Sequence, residues 1–186
     1  MDIKLPDGHE NREEAIEALL RQEIEAAQAE LPGIRKFMRG YLLAERGYSA
    51  DEIEADAVFR ADFGGECVES SADLIVSLHG RKAILIRCFA AALASRERHC
   101  IACARLAHSP YQIPYAVVSD GRTATLLDTL TGKILGEGLA AIPSRQELER
   151  LMKKASFVRL PEEKAVKEQR ILRAFDAIKC SFPTEE

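Results

Sequence analysis

The sequence predicts an α/β protein in which a mixed central sheet is flanked by helices. Two apolar runs rich in branched residues, 74–78 and 83–86, surround a polar His-Gly-Arg-Lys break and predict a buried β-hairpin. A near-continuous apolar run from Ile113 to Ser119 predicts another buried strand. Segments with apolar residues at helical spacing lie before, between and after these strands.

The length and composition are those of one globular domain. The chain has 186 residues, of which 47% are hydrophobic and 30% are charged, so it can bury a core without a disulfide or a metal. We expect a main domain over residues 1–158, including N-terminal helices, and a helical C-terminal extension over residues 159–186.

The sequence also bears on the compartment. Its first residues have no apolar core of signal-peptide length, and no later run reaches the ~18 apolar residues that span a bilayer. The five cysteines are an odd number, which favours free thiols in a reducing compartment. We therefore expect a cytoplasmic protein that does not associate with a membrane.

Helix signals mark both ends of the chain. Asn11 can cap a first helix, Pro32-Gly33 predicts its end, and a second helix is expected from Ile34 to Gly47. Ser144 can cap a later helix, and a last one is expected after Pro161. The last helix has a wide polar face, so it could pack on the domain, on a second copy in a homodimer, or on a partner.

The strands are expected in a definite order. A first strand lies around Val58 in the segment 53–63, and 64–67 breaks it before the hairpin. Ser95 can cap a helix over 96–108. After the strand that ends at Ser119, Asp120-Gly121 and Thr131-Gly132 mark turns, which predict strands at 123–128 and 133–135.

This order of features, from about Arg35 to Leu151, resembles the N-terminal domain of type I restriction enzyme R subunits, within the PD-(D/E)xK nucleases. The resemblance rests on the Asp73 hairpin, the Pro-Tyr-Ala-Val-Val strand and the Asp120-Gly121 turn. It implies a restriction-endonuclease-like fold, in which an Asp opens the first hairpin strand and a Glu-x-Lys motif closes the second.

The resemblance also assigns the active-site positions. Asp73 matches the motif's Asp, whereas Arg87 stands in the Glu position and Phe89 in the Lys position. Glu45 lies near where this fold often places a helix carboxylate. Metal-dependent cleavage needs paired carboxylates and a cation near the attacking water, so the motif is degenerate. Arg87 could pair with Asp73 and fill the metal position, or it could bind a phosphate.

Three functions remain open on this basis. The leading hypothesis is a nuclease-fold protein that associates with nucleic acid, with cleavage lost or impaired and no cofactor expected. The alternative is a Mg²⁺-dependent endonuclease in which Asp73 binds the metal with relocated groups, for which the candidates are Glu66, Glu69, Glu97 and Lys82. The third is a structural or dimerisation module. Expected partners are DNA, restriction-system proteins or other proteins.

A basic segment predicts where nucleic acid would bind. The net charge of -4 argues against binding over the whole surface, but residues 81–105 contain six basic residues and one acidic residue. A helix N-terminus next to arginines is a natural phosphate site, although such residues more often form a solvated polar face. The predicted nucleic-acid-binding residues are Lys82, Ser95, Arg96, Arg98 and Arg105.

Other chemistry has little support in the sequence. His99, Cys100 and Cys103 could be zinc ligands, but a zinc site needs further ligands at a distance, so buried core thiols are the preferred interpretation. No phosphate-binding glycine loop and no Gly-x-Ser-x-Gly elbow occurs.

Overall fold

The protein folds around one mixed six-stranded sheet, which confirms the predicted α/β class. The computed structural model describes residues 12–63, 66–90 and 92–177. The strands lie side by side in chain order, and only β3 and β4 run parallel to each other. Their bounds are β1 Ile53–Phe63, β2 Glu66–Leu78, β3 Arg81–Cys88, β4 Tyr115–Ser119, β5 Ala124–Asp128 and β6 Ile134–Glu137.

Helices cover both faces of this sheet. Their bounds are α1 Arg12–Ala44, α2 Glu97–Leu106, α3 Arg145–Met152 and α4 Glu162–Ala177. Side chains alternate along β3, so Leu85 packs with α2 and α4, whereas Ile84 and Ile86 pack with α1 and α3. The parallel pair β3 and β4 is joined through α2, as parallel strands require a crossover.

The N-terminal region is one helix, so the predicted break at Pro32-Gly33 was wrong. α1 continues through Pro32, whose side of the helix is exposed. Proline removes one helical hydrogen bond. The buried Met38 and Leu42 pack against the sheet beyond that point, which favours continued helix. The predicted cap Asn11 lies outside the described residues.

Two further sequence predictions need correction. β2 begins at Glu66, so 66–67 belongs to a strand and Asp73 lies within β2 instead of opening it. Ser95 does not cap α2, because a 3₁₀ turn over Leu93–Arg96 precedes that helix. The Ser95 hydroxyl instead donates a hydrogen bond of 2.9 Å to the carbonyl oxygen of Ala92.

The predicted cap of α3 is confirmed. The Ser144 hydroxyl accepts a hydrogen bond from the backbone N–H of Glu147, and the Glu147 carboxylate accepts one of 2.8 Å from the Ser144 backbone N–H. This reciprocal pair is a capping box, and it satisfies two backbone donors that would otherwise lack partners.

The last helix packs on the domain. Leu160, Ala165 and Leu172 are buried in the same hydrophobic cluster as α2 and β3. The division of the chain at residue 158 stays a prediction, although α4 shares its core with the sheet. Within the described residues, no helix has both the length and the apolar character to cross a bilayer.

This packing makes the stability of the domain depend on α4. We expect Leu172→Ala to lower the free energy of unfolding by about 2–5 kcal/mol, because it leaves a cavity in the core. Val158 is 44% exposed and lies outside the buried core, so Val158→Ala should change the stability much less, by about 0.5 kcal/mol. Urea denaturation followed by circular dichroism measures both; equal effects would mean that α4 is not part of the folding unit.

Candidate functional site

The predicted site is centred on the carboxylate of Asp73, which is only 3% exposed. It lies where β3 ends beside β2, and one carboxylate oxygen, Oδ2, accepts a hydrogen bond of 2.7 Å from the backbone N–H of Cys88. The structure therefore brings Asp73 and the end of β3 together, as the hairpin predicted.

Two guanidinium groups lie against this carboxylate. Arg35 Nε of α1 is 2.6 Å from Asp73 Oδ1, and Arg87 Nε of β3 is 3.4 Å from Asp73 Oδ2. Neither Nε–H points along these lines as a hydrogen bond requires, so both contacts are ion pairs. The carboxylate is thus held between positive charges from two different elements.

Each arginine has a second anchor. Arg35 also pairs at 3.4 Å with Asp56 of β1, a residue whose backbone φ is 50°. Arg87 is buried and donates a hydrogen bond to the carbonyl oxygen of Ser71. Burial acts to lower the pKa of Arg87, but the neighbouring Cys103 and Asp73 raise it above its ordinary value. Arg87 therefore remains charged inside the protein.

Phe89, in the predicted lysine position, lies in an aromatic layer that reaches α4. The guanidinium groups of Arg87 and Arg96 lie over its ring, at 5.6 and 5.5 Å from the centroid. Arg96 also lies 5.7 Å from the Phe175 ring, which stacks on His99 at 5.0 Å. These cation–π and stacking contacts join the end of β3 to the last helix.

The residues considered as zinc ligands are core residues. Cys100 and Cys103 are fully buried, and the Cys100 thiol donates a hydrogen bond to the carbonyl oxygen of Val117. Burial raises the pKa of Cys100 well above its ordinary value and that of Cys103 to about 11. His99 is also buried, with Nε2 3.4 Å from Asp176 Oδ1. The predicted buried thiols are therefore confirmed.

The side chains around Asp73 do not fit a magnesium ion. Both oxygens of its carboxylate already meet cations, and Mg²⁺ needs several oxygen ligands. Among the residues that the structure describes, no group of three or more His, Cys, Asp and Glu side chains could hold a metal.

The other proposed carboxylates lie elsewhere. Glu45 directly follows the end of α1, ten residues after Arg35. At the rise of an α-helix, this spacing is about 15 Å along the helix axis. Glu69 is exposed and pairs with Arg60 at 2.9 Å, and Glu97 lies near Glu137. The side chain of Glu66 lies outside the described part of the structure.

Of the predicted basic residues, Arg98 and Arg105 lie on α2, Arg96 directly precedes it, and Lys82 lies on β3. Arg98 and Arg105 share the carboxylate of Glu168 of α4, at 2.6 and 2.7 Å. Arg105 also donates to the carbonyl oxygens of Thr129 and Leu130. Lys82 pairs with Glu54 at 2.8 Å. Burial lowers the pKa of His108, and the positive charge of the nearby Lys82 lowers it further.

A small cleft lies at the C-terminal end of α2, which the sequence did not predict. Its volume is about 260 Å³, and Arg60, Arg105, His108 and Arg159 line it. Arg60 and Arg159 come from β1 and from the segment before α4, so only the tertiary structure brings them to Arg105. We refer to Arg60, Arg96, Arg98, Arg105 and Arg159 as the basic strip.

A comparison with family models decides the kinship. Residues 33–143 match the model described as type I restriction enzyme R protein N terminus. The chain belongs to this family. The matched range contains Arg35, Asp73, Arg87 and Phe89 but ends before α3 and α4, so the contacts with Phe175 and Glu168 lie outside the family segment. No curated protein and no solved structure matches the chain.

The ion pairs of Asp73 predict a large effect on stability. Asp73→Ala should lower the free energy of unfolding by about 3–5 kcal/mol, because it leaves the buried guanidinium of Arg87 without its carboxylate. Glu69 offers a matched control: its ion pair with Arg60 is exposed, so Glu69→Ala should cost less than about 1 kcal/mol. Urea denaturation of both variants measures the difference, and a small effect of Asp73→Ala would contradict the electrostatic role.

Proposed function

We propose that this member of the R protein N-terminal family associates with nucleic acid and does not cleave it. The observation that carries the proposal is the position of Asp73 between Arg35 and Arg87. In the nuclease motif that the hairpin resembles, the place of Arg87 belongs to a second acidic metal ligand. A guanidinium there supplies the positive charge that a metal ion would otherwise bring.

The energetics of the site favour pairing of Asp73 with the two arginines over binding of a metal ion. A divalent cation could reach Asp73 only if two guanidinium groups moved away, and their positive charges would repel the ion. Both arginines have further contacts, Arg35 with Asp56 and Arg87 with Ser71, so moving them would break those interactions as well. The pairing therefore stabilises the fold in place of a catalytic metal.

The basic strip supports association with nucleic acid. Among the ion pairs of the described residues, Arg60 pairs with Glu69, and Arg98 and Arg105 share Glu168, so the five arginines of the strip meet two carboxylates. The cleft formed by Arg60, Arg105, His108 and Arg159 can admit a phosphate group, which arginine binds in a bidentate manner. We propose that Lys82 and Ser95 flank this surface, whose contacts are with the phosphate backbone and not with bases.

The loss of cleavage can be tested directly. Wild-type protein incubated with supercoiled plasmid and Mg²⁺ or Mn²⁺ should produce no more nicked or linear DNA than Asp73→Asn, because Asp73 has no free metal-binding oxygen. Agarose gel electrophoresis measures the products. Metal-dependent cleavage by the wild type that disappears in Asp73→Asn would overturn the proposal and favour an active endonuclease.

Nucleic-acid binding can be tested through the strip. The double variant Arg60→Ala with Arg159→Ala should reduce retention of double-stranded DNA about tenfold or more, and should lower the slope of log affinity against log salt by about two, because two phosphate contacts are lost. Fluorescence anisotropy over a salt series measures both quantities.

The control for this experiment removes equal charge elsewhere. Arg39 and Arg122 are exposed residues outside the basic strip, so Arg39→Ala with Arg122→Ala should bind like the wild type. If neither DNA nor RNA is retained by the wild type at low salt, nucleic-acid association is wrong. If both double variants bind equally, the strip is not the binding surface.

A further inference from the structure

A wide groove lies away from the basic strip. Its volume is about 1020 Å³, and it runs between α1, the segment after β3 and the β4–β5 turn. Its apolar wall is formed by Gly33 and Ile34 of α1 and by Ala90, Leu93 and Ala94. It lies beyond the C-terminal ends of the parallel strands β3 and β4, where α/β sheets commonly bind ligands.

The charged residues of this groove are mostly acidic. Glu30, Glu97, Asp120 and Glu137 line it, and Arg122 is the basic residue among its lining. Burial, followed by the negative charge of Glu137, raises the pKa of Glu97. A carboxylate that lies next to another negative charge favours a positively charged group beside it.

The hydroxyl of a largely buried residue provides a second, independent sign of a ligand. Thr125 of β5 is only 7% exposed and lines the groove next to the carboxylates. Its hydroxyl makes no hydrogen bond to any residue that the structure describes, whereas the carboxylate of Asp120, in the turn before β5, accepts hydrogen bonds from the backbone N–H groups of Arg122 and Thr123. Because Thr125 lines the groove, its hydroxyl is available there to hydrogen-bond a ligand.

Two exposed apolar side chains, Ile16 and Leu19, lie on α1 beyond the groove. Leu19 precedes Glu30 by eleven residues and Gly33 by fourteen, which are close to whole numbers of helical turns, so all three lie on one side of the helix. Ile16 lies one turn before Leu19. Ile16 is 46% exposed and Leu19 is 52% exposed. An exposed apolar stripe next to an acidic groove is typical of a protein-binding surface.

We propose that this groove binds a segment of a partner protein that carries lysine or arginine side chains beside apolar ones. The apolar residues pack on Ile34, Leu93 and the exposed stripe of α1, and the cations meet Glu97 and Glu137. The acidic lining would repel a phosphate backbone, so this surface is distinct from the proposed nucleic-acid surface.

A designed peptide can test the groove without knowledge of the natural partner. The probe is a fluorescein-labelled 15-residue peptide with leucine and lysine at helical spacing, compared with a peptide in which every lysine is glutamate. Fluorescence anisotropy at moderate salt should show binding of the lysine peptide only. Glu97→Gln with Glu137→Gln should weaken that binding at least tenfold.

The matched control neutralises two glutamates on another element. Glu162 and Glu163 are exposed in the first turn of α4, so Glu162→Gln with Glu163→Gln should bind the lysine peptide like the wild type. Circular dichroism confirms that each variant is folded. Failure of the wild type to bind, equal binding of the glutamate peptide, or equal weakening by the control variant would each overturn the proposal.

The same variants separate this inference from the proposed function. Glu97→Gln with Glu137→Gln should leave DNA retention no weaker than that of the wild type, because these residues lie outside the basic strip. Loss of peptide binding with DNA binding retained supports the groove as a separate site. Parallel loss of both would mean that the variant acts through the fold, and it would overturn the inference.

Discussion

A buried carboxylate must be neutralised, and in this protein that requirement joins three elements. Asp73 of β2 is reached by Arg35 from α1, by Arg87 from β3 and by the backbone N–H of Cys88. Burying a charge without a partner costs several kcal/mol, so the helix and the two strands cannot separate without exposing or orphaning these groups. Electrostatic contacts at the centre of the family segment therefore hold α1, β2 and β3 together.

The contacts of Asp73 adjoin the aromatic layer that reaches α4. The buried guanidinium of Arg87 lies over the ring of Phe89. Arg96 lies over both Phe89 and Phe175, and so connects this ring to α4. The last helix is fixed further by Glu168, which pairs with two arginines of α2. The result is a domain whose C-terminal helix packs beside Phe89 at the end of β3, and whose surface carries both a basic strip and an acidic groove.

The comparison of prediction with structure shows which signals can be read locally. The hairpin around residues 79–80, the capping box at Ser144 and the buried strand that ends at Ser119 were all predictable, because they depend on neighbouring residues and on alternation of apolar side chains. The break at Pro32-Gly33 was predicted wrongly. A local stop signal was present, but the packing of Met38 and Leu42 on the sheet continued the helix.

The sequence by itself determined the fold class, the family and the proximity of Asp73 to Arg87, because a hairpin brings the end of one strand beside the other. Only the tertiary structure decided that Arg35 would complete the site, since it lies 38 positions earlier and is joined to Asp73 by no local pattern. It also decided that Arg98 and Arg105 would pair with Glu168. Contacts between distant segments depend on how helices pack on the sheet. The apolar periodicity of one segment does not predict which charged residue of another segment will lie beside it.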